Sequence, residues 1–418
     1  MFNFIKHRNI SLLWLSQLLS QFGDRVAQMC LIGYAYQKSP GSTVALAIIS
    51  SATLVPAFLI SPFAGAYIDR WNKKFAILIS ELSRAFFMVL IPLFLLGIKH
   101  DFVPVYLVIF ASFASACFLL PARLSTIPEL VSKESLIITN SFFNATTAIT
   151  IVTGFLFGGL LVEYGGLKAG FYITTLLFVL AAVVISFLRP SQFTVIDEGL
   201  TLYKQYISVG ETVPKASILR EIKEGLLHLF SEKKAFLVTK FITIIMISTG
   251  ALYVLAVVFI QTRLNSATKH LGVMAVFLGA GFILGNIIYA RLEKSLKQTS
   301  VIYGGIAITG ILAVLFVILM NASPNIYIAS VLIMGIGVVL GPMLVTINTI
   351  VHQDIEMRLQ GRIFSWIGVL MNIAVFVSLF LGAWLGKLLS VAIALVAIGL
   401  VLVGYGLLML YRDEKALE

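Results

Sequence analysis

Charge is what this chain has least of. Asp, Glu, Lys and Arg make up 12% of its 418 residues, against 59% hydrophobic residues. A soluble domain carries about twice that charge, and a soluble fold here would need a dozen buried helices with almost no polar outer face. Cysteine is nearly absent. Cys30 and Cys117 both lie in apolar runs, where they read as packing residues and say nothing about redox compartment. His7, His100, His228, His270 and His352 are dispersed, with no metal-ligand spacing. No phosphate-cradling glycine loop appears, which excludes a recognisable ATPase, and no nucleophile–base pair has a readable spacing, which argues against a membrane-integral enzyme. Without an appended soluble domain to carry a signal, a sensor or scaffold is disfavoured too.

What the chain has instead is long apolar runs. About 20 mostly apolar residues cross a bilayer, and twelve such runs are present: about 10–36, 43–67, 75–98, 102–120, 137–162, 168–188, 236–260, 271–290, 299–320, 325–349, 362–385 and 388–411. The first is not a cleaved signal: it is too long, carries Asp24 and Arg25 at its middle and lacks a small-residue cleavage pattern. The expected fold is therefore an all-α membrane protein of twelve transmembrane helices.

The net charge of +11 follows the same geometry. With the N-terminus placed in the cytoplasm, twenty-one of the 30 Lys and Arg residues fall at the inner ends of the runs and six in the outer connections. The positive-inside bias puts both termini in the cytoplasm. The basic balance thus reflects membrane orientation, and no nucleic-acid partner is expected.

Residues 189–235 separate two groups of six runs, giving a bundle over 1–188 and another over 236–418. The linker opens with Pro, Gly, Ser and charge over 190–215. It then places Ile218, Leu219, Ile222, Leu226, Leu229 and Phe230 at helical spacing after a capping Ser217. That pattern predicts an amphipathic helix along the inner membrane surface, or a plain spacer.

Between the second and third runs lies Gly65-Ala-Tyr-Ile-Asp69-Arg70-Trp-Asn-Lys73-Lys74. A worn copy follows some 220 residues on: Gly285 matches Gly65, Arg291 matches Arg70, and Pro342 matches Pro121. Parallel halves of six spans place a substrate site between them near the midplane. The pattern resembles the major facilitator superfamily over essentially the whole chain. The nearest branch is drug efflux, which includes macrolide exporters, and the bacterial lysophospholipid transporters follow closely. Four stretches carry the likeness: Gln17 to Asp24, the hinge, Pro121 to Val131 with Asn140-Ser141 beyond it, and Gln353 to Ser365. None selects a substrate.

Departures from that pattern are specific. Asn72 stands where the hinge has Gly, and Asn also tolerates the left-handed conformation. Residues 102–120 hold no charge, although many proton-coupled drug exporters carry an Arg within span four. The antiporter signature Gly-Pro-x-x-Gly-Gly becomes Gly154-Phe-Leu-Phe-Gly158-Gly159, whose glycines still permit close helix approach. The missing Arg and Pro weaken the case for proton antiport.

The resemblance implies a secondary transporter in a bacterial-type cytoplasmic membrane that exports hydrophobic or amphipathic compounds by alternating access. The expected driving force is a proton gradient. A lysophospholipid flippase on the same scaffold is the alternative. No cofactor is implied beyond a coupling proton; the partners are a small-molecule or lysolipid substrate and the bilayer, and a monomer suffices. The hinge implies a cytoplasmic gate built from Gly65, Asp69, Arg70, Lys73, Arg123 and Arg362. Positive-inside anchoring alone explains its lysines but not the acidic residue among them.

Only Asp24, Arg25, Glu81 and Arg84 are strongly ionisable and well inside the runs. Each costs about 2.5–3.5 kcal/mol at mid-bilayer, so each must be paired, hydrated or functional. Glu81 and Arg84, three apart, meet on one helix face. Asp24 and Arg25 are adjacent and point in different directions. Asp24, then Glu81, are the ion-coupling candidates, with Arg25 and Arg84 as charge partners; two structural salt bridges are the competing reading. Candidate cavity-lining residues are Gln17, Gln21, Gln28, Asn140, Asn144, Thr147, Asn348 and Asn372. Small polar residues of this kind also serve as inter-helix glue worth under about 1 kcal/mol each. The second half has no deep charge, which argues against a phosphorylated sugar needing a cationic clamp.

Overall fold

In the computed structural model the chain consists of helices joined by short turns over its described residues, which are 8–68, 71–95, 103–131, 135–189, 233–293, 296–354 and 357–415. The helices are α1 (Arg8–Lys38), α2 (Thr43–Ile68), α3 (Lys73–Leu90), α4 (Val103–Ala116), α5 (Leu119–Leu130), α6 (Leu136–Ser186), α7 (Lys233–Leu264), α8 (Lys269–Leu292), α9 (Gln298–Ala322), α10 (Ile326–Asp354), α11 (Met357–Leu389) and α12 (Val391–Lys415). A π-helical turn, Ile91–Leu95, continues α3. Ten segments are long and apolar enough to cross a membrane by length and composition. Twelve crossings follow if α6 counts twice and α1, whose polar side chains keep it from that set, also spans. Many large side chains left exposed are apolar, among them Leu107, Tyr327 and Val401, as expected of a lipid-facing surface.

Local chemistry explains the breaks. At Gly166, φ is +79°, a conformation that glycine adopts freely, and it divides α6 into two lengths. Pro121 cannot donate to the Cys117 carbonyl, and the fourth crossing is accordingly split into α4 and α5 around Cys117-Phe118. Asn72 does not take the left-handed conformation its sequence position suggested. Its φ and ψ are −66° and 111°, and its side chain accepts from Phe75 N to cap α3. The capping bond satisfies an orphan helix N–H, a sufficient reason for Asn there.

The chain divides into two compact units whose boundary runs across helices. One is Met1–Arg25, Val55–Gly154 and Phe171–His228; the other is Val26–Leu54, Phe155–Gly170 and Leu229–Glu418. This cut differs from the sequence halves, because residues 26–54 and 155–170 pack with the second half.

Helix pairing repeats between the halves. In the second unit α7 packs on α11, α8 on α10 and α9 on α12. In the first unit α1 meets the start of α6 through Trp14–Thr146 (2.9 Å) and Gln21–Thr147 (3.1 Å). There α3 meets the far end of α6 through Lys74 to the Ser186 carbonyl, 2.6 Å. A Cys117–Ser61 bond and a stacked Trp71–Phe118 pair link the α2 region to the α4–α5 break. The α8–α10 crossing is glycine-dependent. A methyl on Gly285 would lie 2.1 Å from the Val338 carbonyl oxygen, the acceptor that Pro342, lacking N–H, leaves without its helical donor.

The expected amphipathic helix at 217–230 and the pair Asp69–Arg70 lie outside the described residues.

Candidate functional site

Among the described residues, one feature with chemical potential stands out in each unit. In the first, Arg84 of α3 joins two carboxylates. Its Nη2 donates to Asp24 Oδ1 of α1, and its Nη1 donates to Glu81 Oε2 at 3.3 Å and to Ser20 Oγ at 2.9 Å. The guanidinium sits 3.8 Å over the Phe178 ring of α6. Gly23 makes room for that ring: a methyl there would lie 2.7 Å from Phe178. Arg123 of α5 donates to Glu81 Oε1 at 2.8 Å, so that Glu81 bridges two arginines.

Burial ranks these groups. Glu81 is 0%, Arg84 1% and Arg123 7% exposed. The Asp24 side chain is 21% exposed, which makes it the open end of the chain of charges. A buried ion pair gains little net stability, but removing one partner strands an uncompensated charge. Asp24 is thus the least buried of the four, and Arg84 is its ion-pair partner.

Sequence spacing anticipates the Glu81–Arg84 pair. It does not anticipate Arg123. The apolar run ends at 120, so Arg123 was expected at a cytoplasmic gate, whereas α5 continues to Leu130 and turns this side chain inward. The fourth crossing therefore does contain an arginine. Of the other gate residues, Lys73 binds the Ser125 carbonyl (3.1 Å) and Glu129 of α5. Gly65 and Arg362 lie in α2 and α11.

The second unit contains a partly open cavity of about 530 Å³, walled by parts of α1, α2, α6, α7, α8, α10 and α11. Among the described residues no Asp, Glu, Lys, Arg or His lines it. Its polar groups are Gln28, Ser50, Thr53, Thr249 and Tyr253, and the rest of the wall is apolar apart from Gly250. The Tyr253 and Ser50 side chains share a hydrogen bond. A cavity of this size and character suits a drug-sized organic molecule held by apolar contact with a few orienting polar groups.

Of the expected cavity residues only Gln28 lines this space. Gln17 and Gln21 both donate to Thr147, at 3.4 and 3.1 Å. Asn140, Asn144 and Asn348 are exposed, and Asn372 donates to the Gly368 carbonyl of its own helix at 2.9 Å. Ser50, Thr53, Thr249 and Tyr253 were missed, for isolated polar residues in apolar helices give no sign of which face is empty.

Comparison with known proteins matches this architecture. The sequence model of the Major Facilitator Superfamily matches residues 13–379. Macrolide efflux protein A of Streptococcus pyogenes is 22% identical over 374 residues, covering 89% of this chain and 87% of that protein. An uncharacterized MFS-type transporter of Bacillus subtilis, YfiS, is 22% identical over 424 residues, covering 99% and 95%. Among solved structures, a peptide transporter POT in complex with sulfate superposes with a TM-score of 0.70 at 12% identity, over 98% of this chain and 94% of that one. A bacterial homologue of the iron transporter ferroportin in an inward-facing state gives 0.68 at 15% identity, over 96% and 98%. These structures share the fold.

Proposed function

The chain belongs to the Major Facilitator Superfamily, is a multi-pass membrane transporter rather than an enzyme, and on that premise we propose that it exports hydrophobic or amphipathic small molecules by alternating access. The observation that carries this reading is the roughly 530 Å³ cavity without a charged wall residue. A charged substrate entering it would lose its hydration with no counter-ion in the wall, a penalty of several kcal/mol. An uncharged or weakly polar molecule gains about 25 cal/mol for each Å² of apolar surface it buries.

Proton coupling is assigned to Asp24, with Glu81 behind it. When Asp24 takes a proton it gives up its ionic hold on Arg84, and Arg84 is left to Glu81 and Ser20. A proton can thereby alter how α1 and α3 are held together. Arg25 and Arg123 supply the remaining positive charge. The basic bias of the inner ends supports a cytoplasmic-membrane location with both termini inside, and the Gly65–Lys73 hinge with Arg362 remains our assignment for the inner gate.

The test is a transport screen with purified protein in proteoliposomes under an imposed pH gradient. The panel contains macrolides, other uncharged amphipaths, anionic sugar phosphates and labelled lysophosphatidylethanolamine. Gradient-driven movement of the uncharged amphipaths, abolished by the cavity-filling Ala275→Trp, is the expected result. Lysolipid movement alone, independent of the gradient, would replace this reading with a flippase.

A further inference from the structure

Glu163 is a lone carboxylate just before the Gly165-Gly166 turn of α6, and it has no part in the charge chain or the cavity. Its Oε2 accepts from two backbone N–H groups of a different segment, Thr268 N at 2.9 Å and Lys269 N at 3.3 Å. These N–H groups start α8. Thr268, the residue in the N-cap position, makes no side-chain cap of its own. Its hydroxyl donates instead to the Gly159 carbonyl of α6 at 2.9 Å. The start of α8 is thus capped from 105 residues away in sequence.

Around this point the backbones touch. A methyl on Gly159 would lie 2.7 Å from the Thr268 carbonyl oxygen, and one on Gly272 would lie 2.7 Å from that of Phe155. Nearby within the same unit, the Thr43 hydroxyl donates to the Ala383 carbonyl at 2.8 Å, and Gly386 abuts Thr43. Both joints tie residues before the long linker to residues after it through hydrogen bonds to backbone groups at close glycine contacts.

We propose that Glu163 is the catch of the gate at this end of the transport path: its carboxylate holds the start of α8 against the α6 turn while the gate is closed and releases it when the gate opens. Ionised, it completes the orphan N–H groups and faces the positive end of the α8 dipole. A neutral side chain at the same place makes weaker bonds. Tyr164, Lys269 and His270 flank the joint, with the Lys269 ammonium 5.4 Å over the Tyr164 ring, but the catch needs only the carboxylate and the backbone. The inference rests on the alternating-access reading above and makes Glu163 a positioning residue, not a substrate ligand.

The experiment reads gate opening without any substrate, so a failed transport screen and a failed gate are separable. Ile260, buried in the cavity wall, is replaced by cysteine in a C30S/C117S background in proteoliposomes. Its labelling by a membrane-impermeant maleimide is then timed from the side bearing Glu163. Glu163→Gln should speed labelling about tenfold, the change expected when a charge-assisted bond becomes a neutral one. Glu163→Asp, which keeps the charge, should restore at least half of that protection. Lys269→Gln, which keeps the backbone donors, should stay within about twofold of the parent. Parental labelling in Glu163→Gln, even with a lowered melting temperature, would reduce Glu163 to a static helix cap and overturn the proposal. So would equal release by Lys269→Gln.

Discussion

At the offset of 221 residues that carries Pro121 onto Pro342, the four linked charges of the first half fall on Ile245, Ile302, Gly305 and Leu344 in the second. Asp24, Glu81, Arg84 and Arg123 form a buried ionic chain. Ile245 and Ile302 instead join Phe241, Tyr303 and Met343 in a hydrophobic cluster, and Gly305 packs against Met343. The helix pairing is the same in both halves, so the scaffold accepts either filling. Four ionisable groups inside a membrane bundle are therefore not required by the fold. Their cost is balanced by pairing, and their retention points to work that an apolar core cannot do. The second half, which lacks a counterpart of this ionic chain, contributes most of the apolar wall of the cavity.

The largest expected effect separates the two fillings outright. Arg84→Ala strands Asp24, leaves buried Glu81 to Arg123 alone and should cost about 3–5 kcal/mol, read by chemical unfolding in mixed micelles. A loss below about 1 kcal/mol would mean that water already enters the cluster, and the contrast with Ile302 and Gly305 would vanish. Next comes the transplant D24I/E81I/R84M/R123L, which gives the first half the apolar character of the second. Replacing buried ion pairs by apolar side chains is often neutral or stabilising, so this variant should unfold within about 2 kcal/mol of the parent yet lose gradient-driven transport. Retained transport would break the functional half of the comparison.

Gly285→Ala sharpens the second half alone. Its methyl meets the carbonyl of Val338, and forced repacking should cost about 1–3 kcal/mol in the same unfolding assay. The smallest effect belongs to the cavity. Tyr253→Phe removes one hydroxyl bonded to Ser50, worth about 1 kcal/mol, and should leave transport of apolar substrates within about twofold in the proteoliposome assay.

How much of this was legible in the sequence varies with the range of the interaction. Helix positions followed from apolar runs, and the repeat followed from Gly65/Gly285 and Pro121/Pro342. Glu81–Arg84 was readable because i,i+3 spacing fixes a helix face. Arg25 and Arg84 were both named as charge partners, and the choice of Arg84 for Asp24 was not readable, since a helix face does not say which residue lies opposite. Arg123 escaped because a proline-broken helix hid where the crossing ends. Glu163 escaped for a different reason: one carboxylate beside a glycine turn carries no mark of the distant helix it caps. The polar wall of the cavity was mostly missed as well, because empty space is a property of assembled helices. Gln17 and Gln21 of α1 show the converse: both were named as cavity candidates, and both donate to Thr147 of α6.

The account's central claim is that the open end of the ionic chain couples a proton to movement of an uncharged substrate. It is tested most directly by Asp24→Asn in proteoliposomes carrying a pH gradient, with substrate accumulation and substrate exchange followed in parallel. The account predicts that accumulation against the substrate gradient disappears while exchange persists at a comparable rate. Accumulation equal to that of the unmodified protein would contradict it.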